Sequence, residues 1–140
     1  MIEHAYINRN ITPHFFYDEP NILCPCCGEL IINDLFLRTM FRIEKVRVAV
    51  GFPLVFNSGH RCEKHNRKVG GAKRSMHLSF AADLRPEDKK NFPDFCNAIK
   101  LMNHDHKLFN GVGWYWSFVH LDCRTTPYTW DNRKSGAIKR

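Results

Sequence analysis

The segment Phe118 to Arg124, F-V-H-L-D-C-R, constrains this chain most. In a strand its side chains alternate, so His120, Asp122 and Arg124 point one way and Val119, Leu121 and Cys123 the other. One face must pack on a core while the other lines a polar site, which requires a sheet covered on one side only. A second stretch, Asn57 to Asp83, carries His77 and Asp83 a few residues apart. Two imidazoles and one carboxylate suit a catalytic zinc that keeps one position open for water. The expectation is that His77, Asp83 and His120 converge.

The rest of the chain reads as scaffold for these two islands. From Leu30 to Val50 apolar residues recur at helical spacing, Ile32, Phe36, Met40, Ile43, Val46 and Val50. Glu29 and Asp34 lie near the start, basic residues near the end, and Gly51 and Pro53 stop it. Pro53 to Ser58 reads as a short buried strand, and Glu63 to Lys68 as one or two helical turns. A strand is expected over Phe80 to Leu84, with Ala81, Asp83 and Arg85 on one face. Asp88 to about Asn103 carries a second helical pattern, Phe92, Phe95, Cys96, Ile99 and Met102, with Pro93 in its first turn. His104 and His106 are expected in the polar loop that follows. Gly111 to Tyr115 and Phe118 to Arg124 read as the last strands, and Trp130 as a residue that docks beyond them.

A chain of 140 residues is enough for one domain with a modest core. The division expected is an N-terminal arm over residues 1–21, packing Phe15, Phe16 and Tyr17 on the domain, then a domain over 22–130 and a basic tail over 131–140. The formal charge of +7 favours an anionic partner. No apolar run is long enough to span a bilayer, and the N-terminus has no basic segment leading into an apolar core. Synthesis in the cytoplasm with reduced thiols is therefore expected for the six cysteines. Cys24 and Cys27 form a C-x-x-C with Cys26 between them, and no second C-x-x-C exists. The group is a small structural metal site, a bridge to Cys62, or a tight turn with buried thiols. The common burial of free cysteine favours the turn.

Together the islands resemble the M15 peptidases, zinc D-Ala-D-Ala carboxypeptidases and phage endolysins related in fold to the Hedgehog signalling domain. The resemblance is carried by Ser58, Gly59, Arg61, Asn66, Val69, Gly70, Gly71, Ala72, Ser75 and His77, then by Gly111, Gly113, Tyr115, Phe118, Val119, His120, Asp122 and Arg124. It is greatest to the small phage and prophage branch and covers roughly residues 22 to 130. It implies an α+β domain with an antiparallel sheet flanked by helices, zinc on His77, Asp83 and His120, and Arg61 in the cleft facing a carboxylate. It also implies a peptide bond of the peptidoglycan stem as substrate, cleaved by a monomer that reaches the wall after lysis or from a virion. A nucleic-acid partner is not expected, because no known motif for one is present.

Three positions depart from the family pattern. The family reads H-x-x-G-x-A-x-D, whereas here Asp83 follows His77 by six positions. His60 stands where an aromatic Tyr is usual, and Ser117 stands where many relatives place an acid. The general base is therefore open. Asp122, on the same strand face as His120, either takes the proton or orients a ligand or pairs with Arg61, and His60 is the other candidate. The alternative to a peptidase is a non-catalytic wall-binding or virion module that keeps the fold. The expectation for the short interval is a tighter turn at Leu78-Ser79 that leaves Asp83 facing the metal and Phe80 in the core.

Overall fold

Asn33 decides where the first long helix begins. Its side chain accepts the Phe36 N–H at 3.0 Å, so α1 runs Asp34–Val50 and starts after Leu30, not at it. Ile32 thus falls outside the helix and is exposed, while Phe36, Met40, Ile43 and Val46 are buried. Gly51 closes the helix with φ 75°, donating its N–H to Arg47. The computed structural model describes residues 10–133; the rest of the expected arm and basic tail lies outside the described residues.

The arm begins with a two-stranded hairpin, β1 (Asn10–Thr12) and β2 (Phe15–Phe16). Phe15 is buried edge-on against Phe56 and Tyr17 stacks on Phe36, whereas Phe16 is exposed. Glu44 of α1 ties the hairpin down by accepting the His14 N–H at 2.9 Å and pairing with the His14 ring.

After α1 come β3 (Leu54–Ser58), the short helix α2 (Glu63–Lys68) and β4 (Ala82–Pro86), then α3 (Phe92–His106). The sheet is completed by β5 (Gly111–Trp114), β6 (Val119–Asp122) and β7 (Tyr128–Asp131), in the order β3-β4-β6-β5-β7. All pairs are antiparallel except β5 with β7, which is parallel, so the sheet is mixed where an antiparallel one was expected. The α+β class stands, and Trp130, expected only to dock, is the third residue of β7. His104 and His106 sit in the last turn of α3, exposed, and not in a loop.

Helices α1 and α3 cover one face of the sheet. Leu84, Val119 and Leu121 meet Phe36, Met40, Phe95 and Ile99 there, and all are buried. The alternation of β6 therefore sends Asp122 and His120 to the uncovered face. Opposite these two in β5 stand Gly111 and Gly113. A Cβ at Gly111 would overlap the Asp122 carboxylate, and one at Gly113 would overlap the Trp130 ring. The glycines leave the space that the site's side chains occupy.

Candidate active site

Strand pairing brings the two islands together. In the β4–β6 ladder Asp83 lies directly opposite His120. Side chains paired in this way stand on the same face and within reach. His77 arrives from a single 310 turn, Met76–Leu78, whose first amide groups are held by Ser75; the Ser75 hydroxyl accepts the His77 N–H at 3.2 Å. This turn takes up the short interval between His77 and Asp83. Phe80, just after it, is fully buried and edge-on to Phe36 at 4.8 Å, a contact worth roughly 0.5–1.5 kcal/mol beyond its burial. That anchor sets the register in which Asp83 faces His77 and not solvent.

The three groups form one cluster. Asp83 Oδ1 is 3.2 Å from His77 Nε2 and 3.0 Å from His120 Nδ1. The opposite nitrogen of each ring is occupied. His77 Nδ1 donates to the Gly59 carbonyl at 2.7 Å, and His120 Nε2 donates to Asp122 Oδ2 at 2.6 Å. Each acceptor fixes a tautomer, leaving His77 Nε2 and His120 Nδ1 as lone pairs aimed at a common point beside Asp83 Oδ1. Two imidazole nitrogens and a carboxylate oxygen, all within 4.8 Å of one another, fit a metal ion.

Electrostatics agree with that donor set. Burial alone would raise the Asp83 pKa, but the His120 and His77 rings beside it more than reverse this and keep the carboxyl ionised far below its usual range. Burial would likewise raise Asp122, and hydrogen bonds from Arg124 and His120 hold it low. Burial works against charge on His120, yet Asp122 and Asp83 raise its pKa. The two ionised carboxylates, Asp83 and Asp122, flanking the imidazoles make the site attractive to a cation.

The cluster forms the floor of a cavity of about 460 Å³. Arg61, Tyr115, Phe118, Arg124 and Trp130 are among its walls. With the cluster, cavity and sheet order in place, the family model for peptidase M15 matches residues 13–122, which is most of the chain.

The chain belongs to the M15 peptidase family.

Membership makes it a metal-dependent peptidase, acting on peptides. No curated protein matches the chain closely enough to be counted a relative. Among the described residues of this M15 chain, no helix is long and apolar enough to cross a membrane.

The remaining site residues divide by position. Arg61 lines the cavity with Nη2 3.8 Å from Asp83 Oδ2, while Nη1 donates to Asn66 Oδ1 at 3.1 Å and Nε to Ser58 Oγ at 3.2 Å. A bulge in β3 between Phe56 and Ser58 turns this end of the strand toward the site. Asp122 is fully buried; Arg124 donates to it through Nε at 2.8 Å and Nη2 at 2.6 Å, and His120 takes up the rest of Oδ2. Its carboxylate thus lies behind His120 and not on the cavity wall. His60 is also buried away from the cavity, its ring between the Ser79 carbonyl at 3.1 Å and Glu29 Oε1 at 3.2 Å. Glu29, expected at the helix start, serves this contact instead. Ser117 is exposed.

Sequence reasoning gave no site role to Trp130. Its ring lies 4.9 Å from that of His120, and its Nε1 donates to the Tyr115 hydroxyl at 2.9 Å. Tyr115 stacks on Phe118 at 4.3 Å, and the Arg124 guanidinium lies over Trp130 at 5.5 Å. The signal for this aromatic wall was the Gly111-x-Gly113 spacing, which marks where bulky groups cross β5.

Proposed function

We propose that this M15 chain is a zinc-dependent peptidoglycan peptidase, hydrolysing a peptide bond of the stem peptide as a D-Ala-D-Ala carboxypeptidase or an endolysin-type endopeptidase. The observation that carries the reading is the His77–Asp83–His120 cluster on the floor of an open cavity with Arg61 beside it. Zinc bound there supplies a Lewis acid for the scissile carbonyl and lowers the pKa of a ligated water.

The chain's own groups do the rest. Gly59 O and Asp122 hold the two imidazoles in the ligating tautomer. Asp122, fully enclosed by Arg124 and His120, acts as a positioning residue in this reading and not as the base. His60 braces the loop before the site. Arg61 offers its guanidinium to a substrate carboxylate, which a stem peptide ending in a free D-amino acid presents. The aromatic wall of Tyr115, Phe118 and Trp130 shields the reacting bond from bulk water. The charge of +7 draws the protein to acidic wall polymers. Access to the wall then follows lysis or delivery from a phage particle.

A second reading, a wall-binding module that keeps the fold without catalysis, draws on one observation. Among the described residues, Asp83 is the single carboxylate lining the cavity, and Ser117 fills the slot where many relatives carry an acid. Digestion of purified peptidoglycan, read by mass spectrometry of released muropeptides, separates the two. The peptidase yields a shortened stem that disappears on chelation and returns with zinc. The binding module loads zinc and sediments with sacculi but releases nothing.

A further inference from the structure

Three of the six cysteines also converge, and none of the three lines the cavity. The Sγ atoms of Cys24, Cys27 and Cys62 lie within 4.8 Å of one another. The other three do not join them: Cys96 and Cys123 are buried in the core and Cys26 is exposed. Thiols buried simply for packing sit as Cys96 and Cys123 do. In the cluster Cys24 is buried, but Cys27 is exposed and Cys62 half-buried, so apolar packing does not explain why they meet.

The backbone around them is shaped for sulfur. Gly28, at φ 74°, donates its N–H to the Cys24 carbonyl at 2.7 Å, and Cys24 N–H returns to the Glu29 carbonyl at 2.9 Å. This tight loop turns Cys24 and Cys27 toward the same side. The Cys62 N–H points at Cys24 Sγ and the His65 N–H at Cys62 Sγ, each at 3.4 Å. Amide donors aimed at sulfur favour the thiolate, the form that binds metal. A disulfide would use two of the three sulfurs and leave the third beside it without a role.

We propose that Cys24, Cys27 and Cys62 hold a second zinc ion, with a structural role distinct from the cavity site. Soft thiolates select zinc over the hard divalent cations, and a water completes the set. The ion clamps the loop of residues 21–28 to the segment that carries the site. His60 N–H already donates to the Ile22 carbonyl at 3.0 Å, and Gly59 packs against the Asn21 and Ile22 backbone so closely that a Cβ would collide with it. Gly59 in turn supplies the carbonyl that orients His77. The clamp therefore steadies one of the cavity ligands from behind.

X-ray absorption at the zinc edge on the intact wild-type protein, purified under reducing conditions, tests this without any variant. About two zinc ions per chain are expected from two ligand sets, with part of the signal from sulfur at about 2.3 Å. The His77→Ala/His120→Ala protein should keep about one ion, now with predominantly sulfur neighbours. Replacing zinc by cobalt should give a sulfur-to-metal charge-transfer band in both proteins, lost in Cys62→Ser. If the cavity binds no metal, the wild type still shows the sulfur-bound ion, so the two readings fail separately. A zinc-saturated wild type with only nitrogen and oxygen neighbours, or a Cys24–Cys62 disulfide in the reduced preparation, overturns the proposal.

Discussion

The two ligand clusters of this chain are built in opposite ways. His120 and Asp83 stand on paired strands, and each imidazole has its outer nitrogen satisfied by a fixed acceptor. Cys24, Cys27 and Cys62 come from a tight loop and the start of a short helix, with backbone amides directed at two of their sulfurs. The first cluster lines the cavity, and none of the three cysteines does. A ladder holds ligands at a set spacing while one side stays open to substrate. The cysteine cluster instead joins a loop to a helix start that is remote from it in the chain.

The largest effect should come from the open cluster. Asp83→Ala removes a ligand and should lower peptidase activity by roughly three orders of magnitude or more, since metal activation contributes several kcal/mol. Melting temperature should change far less, and a muropeptide assay beside calorimetry reads both. Cys62→Ser should do the reverse, with stability falling on the order of several kcal/mol and activity per folded molecule falling far less than in Asp83→Ala. If Cys62→Ser leaves the melting curve untouched, the division between the clusters is lost.

Asp122→Asn tests how the open cluster is held. With a neutral acceptor behind His120, zinc affinity should drop by about 10–100-fold, measured by competition with a chromogenic chelator. Unchanged affinity with abolished turnover would instead return Asp122 to the role of base. Arg61→Lys is milder. Loss of the planar fork should cost about 1–2 kcal/mol, roughly a tenfold fall in kcat/KM, on substrates with a free terminal carboxylate. Substrates amidated at that end should show no difference between the two proteins.

The smallest effect lies away from both clusters and calibrates them. Burial would raise the Glu44 pKa, but the hydrogen bonds it accepts from His14 lower it below its ordinary value in the folded protein. A depressed carboxyl stabilises the fold above its unfolded pKa, and that contribution is lost as pH falls through the folded pKa. Glu44→Gln should therefore cost about 1 kcal/mol at neutral pH and nothing in strong acid. Denaturant titrations of a metal-free pair across pH 2 to 7 would show the curves converging, by the same linkage. A constant offset would mean the hairpin is held by packing alone.

Much of this was legible from residues. Alternation in F-V-H-L-D-C-R assigned faces correctly because β6 is covered by helices on one side only. The apolar spacing of α1 and α3 was visible because their buried residues repeat with the helical period. The start of α1 was misplaced because a cap acts through one side chain, Asn33, which periodicity does not see. Strand β7 was missed because Tyr128–Asp131 is largely exposed and finds its parallel partner through β5, a pairing with no local pattern.

What the sequence offered by itself was a trio of candidate ligands, His77, Asp83 and His120, which the fold brings together, and the family resemblance that the match over residues 13–122 bears out. Those depend on residue identity and order, which a chain carries openly. Only the tertiary structure decided that the 310 turn absorbs the short interval and that Asp122 and His60 lie outside the cavity. It also brought Cys62 to Cys24 and Cys27. Each of these depends on what packs behind a residue, on Arg124, Glu29, Phe36 or the Ile22 backbone, and such partners are remote in the chain until the sheet closes.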